Sequence, residues 1–155
     1  MLSEKDLLKA AVDLSSRFQN GGNYTPFGAV VALDGVIIGQ GISSVVEKHD
    51  VTAHAEVEAL RAACNNLGNH LLPGSVVYCS GFPCPFCLMA CRWAEVSKIV
   101  YAADLDASAA AGFEDRMFYE QLKSGPNAVI DVVQGDEENS QRASSLLLEW
   151  KKSVS

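Results

Sequence analysis

Leu7, Ala11, Leu14 and Phe18 recur at helical spacing behind Ser3 and Asp6, so the chain opens on an amphipathic helix that Ser3 can cap. Asn20-Gly-Gly ends it. Phe27 to Leu33 is apolar and rich in small and β-branched residues, Asp34-Gly is a two-residue turn signal, and Val36 to Ile42 continues beyond it as an antiparallel hairpin. After a polar stretch, Thr52 is placed to cap a helix carrying Val57, Leu60, Cys64 and Leu67 on one face, and Pro73-Gly closes the segment. Ser75 to Cys79 reads as a short strand. Pro85 suits the first position of a helix running to about Val96, and Lys98 to Ala103 is another strand. Phe113 to Leu122 then holds a short helix ended by Gly125-Pro, and Val129 to Val133 reads as a fifth strand. Ala143, Leu146, Leu147 and Trp150 form the apolar face of a last helix, which must pack on its own core or on a partner subunit. A helix, a hairpin and then alternating helices and strands, without linker or repeat, predict an α/β fold: a three-layer α/β/α sandwich around a mixed five-stranded sheet, as a single domain over residues 1–155.

A chain of 155 residues buries roughly 70% of the surface its unfolded form exposes, so neither disulfide nor metal is needed merely to fold it. Twelve Lys plus Arg against nineteen Asp plus Glu give a net charge of −7, which repels a phosphate backbone and argues against DNA or long RNA as partner. The first residues lack the basic start and apolar run of a secretory signal, and no stretch approaches a membrane span, so a cytoplasmic location is expected. Five cysteines, Cys64, Cys79, Cys84, Cys87 and Cys91, are odd in number, and four crowd into thirteen residues. In a reducing compartment that crowding points to a metal or to catalysis.

Two short motifs carry candidate chemistry, His54-Ala-Glu56 at one helix start and Pro83-Cys84-Pro85-Phe86-Cys87 at another. Cys84 and Cys87 are three apart, so on a helix their sulfurs share a face and can grip one ion, and the positive helix end favours thiolates. One imidazole and two thiolates leave the fourth position of a tetrahedral zinc open to water, as in catalytic sites. Glu56, beside them, is the candidate proton carrier. The competing arrangement is a structural zinc held by Cys79, Cys84, Cys87 and Cys91, with His54 left out. Cys79 and Cys91 read more simply as buried small apolar groups, and Cys64 as part of a helix core.

His-x-Glu followed by Pro-Cys-x-x-Cys is the pattern of zinc deaminases. Together with Pro26-Phe-Gly-Ala, Asp50-Val-Thr-Ala-His-Ala-Glu-Val, Trp93-Ala and the stretch from Tyr101 through Gly112-Phe-Glu-Asp115, it resembles the cytidine-deaminase-like superfamily over nearly the whole chain. Within that superfamily the stretch ending at Asp115 resembles bacterial guanine deaminases, with tRNA adenosine deaminases and fungal-type cytosine deaminase as relatives. The resemblance implies zinc held by His54, Cys84 and Cys87, and Glu56 as proton shuttle. It further implies that the Ala55 and Cys84 N–H groups face the bound water or heterocycle, that Phe27 lies against the flat base, and that Asp115 contacts the purine and helps relay protons. It also implies a homodimer, in some members with an exchanged C-terminal segment.

Three positions depart from the pattern. Ser43 stands where relatives carry an asparagine whose amide reads a ring nitrogen and a carbonyl together, Phe82 replaces a usual glutamate, and Val51 a usual proline. These changes bear on substrate more than on reaction type. The expected function is hydrolytic deamination of a free, guanine-like base. Isoguanine, cytosine analogues, aminated triazines and pterins are alternatives, and tRNA adenosine is disfavoured by the acidic charge.

Overall fold

In the computed structural model, which describes residues 1–155, the first helix, α1 (Glu4–Ser15), starts with a reciprocal cap. Ser3 Oγ accepts from the Asp6 N–H and the Asp6 carboxylate accepts from the Ser3 N–H, both at 3.1 Å. A 3-10 turn over Ser16–Asn20 follows. β1 (Gly28–Leu33) and β2 (Val36–Ile42) form the expected hairpin, with Asp34 and Gly35 both at positive φ as a type I′ turn requires. Next come α2 (Val45–Lys48), α3 (Ala55–Leu67), β3 (Val76–Gly81), α4 (Pro85–Trp93) and β4 (Lys98–Ala103). α5 (Leu105–Ala110), α6 (Asp115–Lys123) and α7 (Glu137–Ser153) complete the chain. No helix is long and apolar enough to cross a membrane.

Two compact units divide the chain, Met1–Tyr119 and Glu120–Ser155. In the first, the strands lie in the order β2-β1-β3-β4, with β1 antiparallel to both neighbours and β3 parallel to β4. Successive residues of β1 point to opposite faces, so both faces need cover. On one, Leu7 and Ala11 of α1 pack with Val30, Ala32 and Tyr78. On the other, Ala55, Ala59, Leu60 and Ala63 of α3 and Cys91 of α4 pack with Ala29, Val31, Val77 and Cys79. The three-layer α/β/α sandwich is therefore as expected.

The mixed sheet has four strands, not five. Val129 to Val133 is irregular because its backbone donors are satisfied locally. The Ile130 N–H reaches Pro126 O at 3.2 Å, and the Val132 N–H donates to Asn127 Oδ1 at 2.7 Å. In this second unit a 3-10 turn spans Pro126–Ala128, and Asp136 caps α7 by accepting from the Asn139 N–H at 3.0 Å. Leu146, Leu147 and Trp150 of α7 are exposed.

Three smaller expectations also shift. Thr52 does not cap α3; its hydroxyl and N–H both go to Asp50 Oδ1, and His54 holds the cap position. α4 stops at Trp93 rather than near Val96, since Glu95 adopts φ +58. On α3, Leu60 is buried and Cys64 packs against the core as expected, but Ala55, Ala59 and Ala63 make up most of the buried face and Leu67 is exposed.

The alanine face has a cause in β2. A Cβ on Gly41 would lie 2.4 Å from the Ala55 carbonyl oxygen, and one on Gly39 2.4 Å from that of Ala59. Sheet and helix backbones thus approach too closely for any side chain at these glycines. Gly41→Ala is expected to destabilise the protein by about 1–3 kcal/mol in denaturant unfolding, because backbone must move to admit the methyl. Unchanged stability would show that α3 is free to shift.

Candidate metal centre and active site

By register, the start of β1 and the ends of β2, β3 and β4 share one end of the sheet: Gly28 pairs with Ile42, Ala29 with Cys79, and Gly81 with Ala103. The candidate residues stand on the segments leaving that end. His54 is the N-cap residue of α3 and Cys84 that of α4, so two positive helix ends meet there. His54 makes no side-chain cap. A good capping residue would contribute about 1 kcal/mol at that position, and here the ring turns to the sulfurs instead.

His54 Nδ1 lies 3.4 Å from Cys87 Sγ and 3.6 Å from Cys84 Sγ, and one ligand atom from each of the three residues falls within 4.8 Å of the others. Tetrahedral zinc with ordinary Zn–N and Zn–S bonds separates a nitrogen and a sulfur ligand by about 3.6 Å. The donor set therefore fits zinc in both chemistry and spacing. Cys79 and Cys91 do not join the group. Burial pushes both thiols up, that of Cys91 to about 12, so they stay protonated as packing groups. Cys84 behaves differently. Hydrogen bonding from the Cys87 thiol, with help from His54 and the Cys87 N–H at 3.4 Å, holds it well below the usual thiol range. Cys87 moves upward in return, mainly through that same contact and burial. His54 is raised, chiefly by its contact with Cys84.

Glu56, in the first turn of α3, is only 6% exposed, and burial raises its carboxyl above the usual range. Asp115, at the start of α6, is raised by burial and then by the negative Cys84. All the candidate residues, Phe27, Ser43, His54, Ala55, Glu56, Cys84, Cys87 and Asp115, line one cleft of about 210 Å³. Clefts for drug-sized ligands run to roughly 300–1,000 Å³, so this one suits a small flat molecule. Ala55 is the first residue of α3, where the N–H has no partner within the helix. Phe27 meets Phe113 edge to face at 4.8 Å. Phe82 lies against Tyr101 and Tyr119 at 4.8 and 5.9 Å, making an apolar wall where a glutamate would have brought charge.

Sequence reasoning missed Thr25, Phe113 and Tyr119. Thr25 and Phe113 line the cleft, and the Tyr119 hydroxyl donates to Pro83 O at 2.6 Å, holding the turn into Cys84. Tyr119 carried one signal: it is four residues after Asp115 and so shares its helix face.

Comparison with known proteins gives a consistent placement. The chain is 42% identical over 121 residues to guanine deaminase of Bacillus subtilis, covering 78% of each protein. A solved structure of guanine deaminase from Bacillus subtilis superimposes with a TM-score of 0.88 at 37% identity, over 97% of this chain and 95% of that one. The tRNA-specific adenosine deaminase of Agrobacterium fabrum is 41% identical over 78 residues, half of this chain and 51% of that protein. A structure of the protein NE0047 in complex with 2,6-diaminopurine matches with a TM-score of 0.69 at 30% identity, over 74% of this chain and 64% of that one. The family model for the cytidine and deoxycytidylate deaminase zinc-binding region matches residues 1–103, and with the His54, Cys84 and Cys87 group in place the chain belongs to that zinc-dependent deaminase family.

Proposed function

We propose that residues 1–155 act as one catalytic domain that hydrolyses the amine from a free aminopurine of the guanine type. One observation carries the reading: a zinc-fitting His54, Cys84, Cys87 group and a buried carboxyl, Glu56, share a small cleft with aromatic walls. Similarity to guanine deaminase supports a purine, as do neighbouring structures holding 2,6-diaminopurine and 8-azaguanine.

His54 Nδ1 and the sulfurs of Cys84 and Cys87 would hold the metal. Bound there, zinc lowers the pKa of water and supplies a nucleophile at neutral pH. Glu56 takes the proton that water gives up, delivers it to a ring nitrogen, and then assists protonation of the departing amine. A C–O bond forms and the C–N bond breaks, so the amine leaves as ammonia and the ring keeps a carbonyl. Phe27 lies against the base plane, Asp115 pairs with the purine and relays a proton, and Ser43 and the Ala55 N–H contact polar atoms of the ring system.

An ammonia-release panel tests the substrate: guanine, isoguanine, cytosine, azacytosine, aminated triazines, pterin, the matching nucleosides and tRNA. Guanine is expected to rank first among them. Preferred release from tRNA, with salt-sensitive binding, would replace this reading with the polynucleotide one that the −7 charge argues against.

Five free thiols suit a cytoplasmic enzyme. The exposed apolar face of α7 suits a homodimer, with its C-terminal segment exchanged between subunits. Light scattering should then give the mass of two chains, and deletion of 137–155 should yield a monomer. A wild-type monomer would overturn the dimer.

A further inference from the structure

Thr25 and Ser43 come from the segments flanking β1 and β2, and their hydroxyls meet inside the cleft, where Thr25 Oγ1 donates to Ser43 Oγ at 2.5 Å. Ser43 is only 5% exposed, and its N–H is already spent on Phe27 O at 3.0 Å. Neither hydroxyl has a second hydrogen-bond partner in the protein. Each has one donor and two acceptor positions, so the pair keeps unused capacity on both oxygens. Around it the walls are apolar, from Val45, Val46, Phe82 and Phe113.

Resting on the aminopurine reading above, we infer that Thr25 and Ser43 jointly read the polar ring edge of the base as a reversible hydroxyl pair, admitting 6-oxo and 6-amino purines alike. With Thr25 donating to Ser43, Ser43 offers a donor and Thr25 an acceptor. With the shared hydrogen bond reversed, Thr25 offers the donor and Ser43 the acceptor. Only two hydrogens rotate; no heavy atom moves. A 2-amino-6-oxopurine presents an N1–H donor beside a carbonyl acceptor, and a 2,6-diaminopurine presents a bare N1 acceptor beside an amine donor. These are opposite orders along one edge. A group fixed in one order would leave polar atoms unpaired with the other base and reject it. The hydroxyl pair has no such fixed order.

Binding of 8-azaguanine and of 2,6-diaminopurine is measured by calorimetry on zinc-loaded Glu56→Gln protein, so that bound base is not consumed. The two dissociation constants are expected to agree within about tenfold. Thr25→Val should weaken both by about tenfold, with its melting temperature showing that it remains folded, and Thr25→Ser should restore both. A gap of about a hundredfold between the bases overturns the inference without any variant, as does Thr25→Ser binding as weakly as Thr25→Val. Unchanged binding in Thr25→Val also overturns it, even where wild-type protein deaminates guanine. Conversely, the expected binding pattern with no ammonia released by the wild type would sink the deaminase reading while the hydroxyl pair stands.

Discussion

Glu56→Ala should retain its zinc and lose ammonia release by about 10²-fold to 10⁴-fold, the range that a positioned proton carrier contributes. Metal is retained because the three grouped ligand atoms belong to His54, Cys84 and Cys87, with Glu56 outside the set. Activity is lost because proton transfer needs a carboxyl held out of water beside the reacting ring, and Glu56 is the buried acid of the cleft. Alanine is a strong helix former, so the first turn of α3 should survive the change. Glu56→Gln, which keeps the shape without a transferable proton, should lose activity to a similar degree. Metal analysis and an ammonia assay on the same samples check both halves. Turnover near the wild-type rate in either variant would remove Glu56 from the mechanism.

Much of the site is legible in the chain because its spacing is local. Cys84 and Cys87, three residues apart at the start of α4, fall on one side of that helix, while His54 at the cap of α3 and Glu56 in its first turn both line the cleft from one helix end. The hairpin is legible for a similar reason, since Asp34-Gly35 dictates its own turn and with it the register of β1 on β2.

What stays hidden depends on close approaches and hydrogen bonds that hydrophobic periodicity does not encode. The sequence reading takes the large residues Val57, Leu60, Cys64 and Leu67 as the core face of α3. Leu60 and Cys64 do pack on the core, but the rest of the real face is alanine because Gly39 and Gly41 draw the β2 backbone against the helix. Val129 to Val133 has the composition of a strand, yet a ladder needs a partner, and Pro126 and Asn127 supply acceptors first. Thr25 is polar and unremarkable in sequence. Only the fold, across eighteen residues, sets it against Ser43.

His54→Ala carries the second large effect. It removes one of three ligands from a site whose remaining thiols cannot fix a catalytic tetrahedral ion alone, so zinc and ammonia release should fall together. Loss of a ligand also leaves Cys84 without the imidazole that helps hold it as a thiolate. A structural zinc on Cys79, Cys84, Cys87 and Cys91 makes the opposite demand, since there His54 is dispensable and Cys91 is not. Zinc content per chain, measured side by side in purified His54→Ala and Cys91→Ala, separates the two. The expected result is little or no zinc in the first and about one ion per chain in the second, as three-ligand coordination requires. Zinc kept in His54→Ala and lost from Cys91→Ala would contradict the catalytic centre.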